Sequence, residues 1–179
     1  QNQALNCPAR VRSIKSFFWK YGHTPDSQHY TLSAAPHNFL TSYQLSIGAT
    51  RFPPTANACH PATNKVAPYT ELQKAFGKIG SNLHPDRLNS QNYLNSDGTT
   101  ANFGRGSIVP FGCYGIDLES FRHEIENGID TSSRALPITL HTGASAVPNA
   151  NGNCFDCFMW ILYDSLFYIN MDGSVSVSN

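Results

Sequence analysis

The apolar residues of this chain come in short runs separated by turn chemistry, which is the pattern of strands joined by loops. Segment 9–20 interleaves Arg10, Arg12, Ser16 and Lys20 with Val11, Ile14, Phe17, Phe18 and Trp19, and it predicts a strand. The doubled apolar pair Phe17-Phe18 breaks strict alternation, as a bulge or burial on both faces would. Segment 39–48 predicts a second strand with Thr41, Tyr43, Leu45 and Ile47 on one face, stopped by Pro53-Pro54. Helical spacing occurs once, near 68–79. There Tyr69, Leu72, Phe76 and Ile79 form one stripe, Pro68 suits the first helical position and Gly80 can end it. Strands are predicted again at 107–116, 134–141 and 155–164. A closing hairpin pairs 165–170 with 174–178 through Asp172-Gly173. In these last strands Phe158, Trp160, Leu162, Phe167 and Ile169 are the expected inward positions.

These elements predict an all-β fold, a jelly-roll antiparallel β-sandwich with one short helix near 68–79 in a connecting loop. The length of 179 residues suits one domain spanning 1–179 with a sizeable core. Asn, Ser, Thr, Gly and Pro are plentiful, as many loops require. The stretches 22–38 and 81–106 are long and polar, and loops of that length in a compact domain are usually functional.

Charge sharpens this picture. Only 13% of residues are charged and the formal net charge is +0, so little repulsion opposes association and the surface is suited to packing against neighbours. Basic residues are scattered, with Arg10, Arg12 and Lys15 the densest group, which argues against direct nucleic-acid binding. No apolar run has the length of a membrane-spanning helix. The chain opens on Gln1-Asn2-Gln3, a polar start without a signal-peptide pattern, and is expected to be a piece processed from something longer. Five cysteines and no Asn-x-Ser/Thr acceptor favour a reducing compartment.

The sequence offers several constellations for chemistry, and each has a plainer structural reading. Cys154-x-x-Cys157 lacks a second ligand pair for zinc, and Cys157 sits in an apolar run where a thiol packs as a small hydrophobe. Cys59-His60 would point to opposite faces of an extended segment, and Cys113 announces no imidazole partner. Asp117 and Glu119 share a strand face at i, i+2, where a polar strand end is the plainer account of them. Asn95-Ser96-Asp97-Gly98 lacks the closing Glu of a calcium loop, and Gly104-Arg105-Gly106 lacks the lysine and helix of a phosphate loop. The expectation is no enzyme, no catalytic or metal-binding residues and no cofactor.

Motif order adds a resemblance. Arg-Val-Arg-Ser-Ile-Lys-Ser-Phe-Phe at 10–18 is followed by Thr-Ser-Tyr-Gln-Leu-Ser-Ile-Gly-Ala-Thr-Arg-Phe-Pro at 41–53. Then come the helix, Gly-Ile-Asp-Leu-Glu at 115–119, Asn-Gly-Ile-Asp-Thr at 127–131, and Tyr-Asp-Ser with a strand and hairpin at 163–177. This series resembles the second jelly roll of double jelly-roll major capsid proteins, the lineage of virophages, polinton-like viruses and large DNA viruses. The resemblance covers most of the chain and omits 22–38 and 81–106. It implies the C-terminal jelly roll of a capsid protein, working with the N-terminal roll of the same protein. Homotrimeric, pseudo-hexagonal capsomers would then tile an icosahedral shell, giving a virion location after assembly in the host cytoplasm or nucleus. A single-roll penton or minor capsid protein is the alternative within that lineage. Outside it stand a lectin-like or receptor-binding sandwich, with Tyr30 and Tyr93 as sugar-stacking loop aromatics, and a cysteine or zinc enzyme.

Overall fold

A computed structural model describes residues 2–23, 40–59, 64–77, 93, 113–119, 127–132, 136–144 and 155–178. Its elements in chain order are β1 (Asn2–Cys7), β2 (Ile14–His23), β3 (Leu40–Ile47), β4 (Thr50–Ala58), α1 (Val66–Ala75), β5 (Cys113–Asp117), β6 (Ile138–Ala144), β7 (Phe155–Tyr163), β8 (Leu166–Ile169) and β9 (Val175–Ser178). A four-stranded sheet runs β1-β6-β3-β4, a three-stranded sheet runs β5-β2-β7, and β8-β9 form a separate hairpin. Each pairing is antiparallel. The protein is an all-β sandwich.

Its connectivity follows one rule. The chain changes sheet at every step from β1 to β7 except β3 to β4, which are joined in a hairpin by Gly48-Ala49. That is jelly-roll connectivity with seven of the usual eight strands among the described residues, and the eighth position would lie beside β7.

The two sheets meet through alternate side chains. In the three-stranded sheet, Phe17, Trp19 and Tyr21 of β2 and Tyr114 and Ile116 of β5 point inward and are buried. Trp19 stacks on Tyr114 with centroids 5.2 Å apart and meets Tyr43 of the other sheet edge-on at 5.1 Å. Across the four-stranded sheet the register aligns Leu5, Leu140, Leu45 and Phe52 in one apolar row. Burial of this kind contributes about 2 kcal/mol per large side chain.

Several boundaries depart from expectation for identifiable reasons. β1 was not foreseen, because Asn2–Cys7 is polar, and it takes its place by pairing with β6 along its whole length. On β3 the inward residue is Leu40 and Thr41 is exposed, since a bulge between Leu40 and Ser42 shifts the phase. Pro53-Pro54 do not end a strand. They ride in an irregularity on edge strand β4, where the Gln44 side-chain amide donates to the carbonyls of Pro53 and Pro54 at 2.9 and 3.0 Å. The helix is shorter and earlier than 68–79, because Gly77 at φ 68 terminates it before Gly80. Leu72 is buried as expected, whereas Phe76 lies past the helix end and is exposed. The closing hairpin forms as the sequence indicates, with Gly173 at φ 81 in its turn. Of the strands expected at 107–116 and 134–141, residues 107–112 and 134–135 lie outside the described residues.

The largest correction concerns β7. Phe158, Trp160 and Leu162 face outward, and Phe167 and Ile169 of β8 are also exposed, while Cys157, Met159 and Ile161 pack against the core. A one-residue change of phase exchanges every side chain between faces.

Candidate functional site

Three of the motifs singled out in the sequence turn out to stitch the fold. Gly115 lies beneath α1, where an added Cβ would stand 2.9 Å from the Ala75 Cβ and 3.0 Å from Leu72 Cδ1. Ser16 Oγ donates to the Ala75 carbonyl at 3.0 Å and holds the same helix end. In Asn127 to Thr131, a Cβ on Gly128 would come within 2.4 Å of the Ile14 carbonyl oxygen, so only glycine lets the two backbones approach. Thr131 Oγ1 accepts from the Val11 amide at 3.1 Å and donates to the Val11 carbonyl at 3.0 Å. Asp164 accepts from Ser13 Oγ at 3.2 Å.

Asp164 also belongs to an ionic knot. Lys15 Nζ lies 3.2 Å from Glu119 Oε1 and 3.2 Å from Asp164 Oδ1. Burial alone would lower the Lys15 pKa, but the hydrogen bonds and charges of Glu119 and Asp164 outweigh it and hold the ammonium above its ordinary value. An amine so held is a poor base or nucleophile at neutral pH. Asp117 and Glu119 do not act as a pair: Asp117 Oδ1 accepts the Glu119 amide, and the Glu119 carboxylate serves Lys15.

Of the thiol candidates Cys59 is buried, and Cys113 and Cys157 are half-buried against the core. Burial pushes Cys59 up to about 12 and Cys157 up to about 11. Cys113 also rises to about 11, through burial only partly offset by the charge of Lys20 and a bond to the Tyr114 carbonyl. Reactive cysteines have depressed values, so these are inert core thiols. His60, Cys154, Tyr30, Asn95-Ser96-Asp97-Gly98 and Gly104-Arg105-Gly106 lie outside the described residues. Among the described residues no group of three or more His, Cys, Asp and Glu side chains could hold a metal ion, and no helix is long and apolar enough to cross a membrane. Tyr93 is not a loop aromatic open to sugars: it is fully buried, with its ring 5.4 Å from Tyr69.

What the surface does offer is apolar. On the outer face of the three-stranded sheet, α1 covers β5, but no described element covers β7. Phe158, Trp160 and Leu162 stand 46 to 53% exposed along it. With Phe18, Ala75 and Phe76, residues Trp160, Ile161 and Leu162 border a shallow recess of about 360 Å³. Phe18 stacks on Phe76 at 4.9 Å, and Lys20 Nζ sits 5.8 Å from the Trp160 ring centroid. The β8–β9 hairpin carries a second surface. Its register sets Phe167 opposite Val177 and Ile169 opposite Val175 on one face, and these four are 51 to 78% exposed. Contiguous apolar surface of this kind marks interaction sites.

The sequence held one sign of these surfaces. The run from Phe155 to Tyr163 is apolar on both faces, which is how a strand covered on both sides reads. No protein-family model, curated protein or solved structure matches the chain.

Proposed function

We propose that this chain is a structural, self-associating jelly-roll module of a virus capsid, the C-terminal roll of a double jelly-roll shell protein that forms trimeric capsomers with its N-terminal roll. The observation that carries the self-association is the concentration of exposed apolar side chains on β7 and the β8–β9 hairpin. The seven-strand jelly-roll order and the resemblance of the motif series supply the capsid part of the reading. The motifs of that series that are described serve to lock strands together, as a building block requires.

Light scattering on purified protein, with electron microscopy of the same material, tests this. Trimers or closed shells are expected. Protein that stays monomeric through the micromolar range, alone and mixed with its N-terminal roll, overturns it.

A further inference from the structure

Two apolar surfaces on one chain, a projecting ribbon and a shallow recess, are each left open to water. The hairpin presents Phe167, Ile169, Val175 and Val177 on a single face, and among the described elements its main contacts run between its own strands. A two-stranded hairpin is marginal in water unless a third element covers its face. The recess between the end of α1 and β7 has its own uncovered rim of Phe76, Trp160 and Leu162.

We propose that the β8–β9 hairpin of one copy seats its apolar face on the outer face of the three-stranded sheet of a second copy, across Phe18, Phe76, Trp160 and Leu162. The inference rests on the self-association reading above and says which surfaces make the contact. A hairpin-to-hairpin contact would cover one surface and leave the other wet, whereas a hairpin-to-recess contact covers both at once. With the eight apolar side chains presenting on the order of 100 Å² each, the two surfaces together bury roughly 800 Å², the small end of the range for specific contacts. Charge orients the ribbon: Lys20 lies over the Phe158 and Trp160 rings on the same outer face, and Asp172 occupies the hairpin tip. The two faces differ, so the contact is either made twice in a reciprocal two-fold dimer or made head-to-tail, closing into a ring or extending as the rotation between copies dictates.

Two variants of the full chain test it. Ile169→Asp spoils the hairpin face and Trp160→Asp spoils the recess. Both positions are exposed, so each variant is expected to keep the circular dichroism and unfolding midpoint of the parent, and Trp160→Phe is expected to restore association. By sedimentation velocity, each Asp variant alone is expected to associate at least about tenfold more weakly than the parent. An equimolar mixture is expected to give a one-to-one complex, because one intact hairpin then meets one intact recess. If the parent associates and both variants do so equally well, the hairpin-to-recess contact is wrong while self-association stands. If only one variant loses association the contact joins like surfaces, and if both are monomeric and mixing restores nothing the hairpin does not seat on the recess; either result overturns the proposal. A monomeric parent overturns the hairpin-to-recess contact, and one that stays monomeric with its N-terminal roll as well overturns the self-association reading too.

Discussion

At the scale of single residues, the fold depends on a few positions where one atom decides. Gly128 is the sharpest, since a methyl group there meets the Ile14 carbonyl and must push apart two paired backbones. Gly128→Ala is expected to cost at least ~3 kcal/mol and lower the melting temperature by roughly 10 °C. Gly173→Ala, with open space around it and only its φ of +81 to strain, is expected to cost about 1 kcal/mol. Equal losses at the two sites in thermal unfolding would refute the close approach at Gly128. The buried thiols and Lys15 set the response to alkali. A thiol whose folded value stands at 11 to 12 against an ordinary 9.0 is favoured in its neutral form, so stability declines as pH rises from about 9. The raised Lys15 contributes stability that is full below 10.5 and is lost as pH climbs through its folded value. Both effects carry the same sign. Urea midpoints are therefore expected to hold level near neutrality and fall above pH 9, and Cys59→Ala is expected to reduce that fall. Thiol labelling at neutral pH should leave Cys59 unmodified in the folded protein, and prompt labelling there would contradict its burial.

At the scale of elements, the contrast between strands shows what a sequence pattern can carry. β2 and the β8–β9 hairpin were legible, because Phe17 and Trp19 fall two apart between polar Ser16 and Lys20 and Asp172-Gly173 marks a turn. β1 was not, since Asn2–Cys7 has little apolar content and its place is fixed by hydrogen bonds to β6, a long-range partner no local pattern reveals. β7 failed differently. Phe155–Tyr163 is apolar at almost every position, so periodicity says strand but gives no phase, and choosing the bulkiest set as inward put Trp160 on the wrong face. The candidate surface was hidden by the same ambiguity. One pair of substitutions checks the phase. Ile161→Ala, which removes a side chain packed on the core, is expected to cost about 2 kcal/mol, and Trp160→Ser, on the outer face, within about 0.5 kcal/mol. Chemical denaturation at protein concentrations where the chain is monomeric separates them. A larger loss at Trp160 would reverse the assignment of faces.

At the scale of the whole molecule, the balance of forces between copies follows from composition and from where the apolar surface lies. A chain of +0 formal net charge and a pI near 7.2 has little long-range repulsion at neutral pH, so short-range contacts decide whether copies meet. The exposed side chains of β7 and the hairpin are mostly carbon, with Lys20 and Asp172 as rim charges that orient more than they bind. Association through such surfaces has a near-zero enthalpy around 25 °C and a negative heat-capacity change, so cooling weakens it. Excluded salts such as sulfate strengthen it, whereas sodium chloride acts only through screening of the rim. Sedimentation across temperature and salt should therefore find the assembly tighter at room temperature than near freezing, tighter still in sulfate, and changed less than about threefold by chloride. An assembly that dissolves in moderate chloride and tightens in the cold would instead be held by charge, and the apolar faces of β7 and the hairpin would not be what joins the copies.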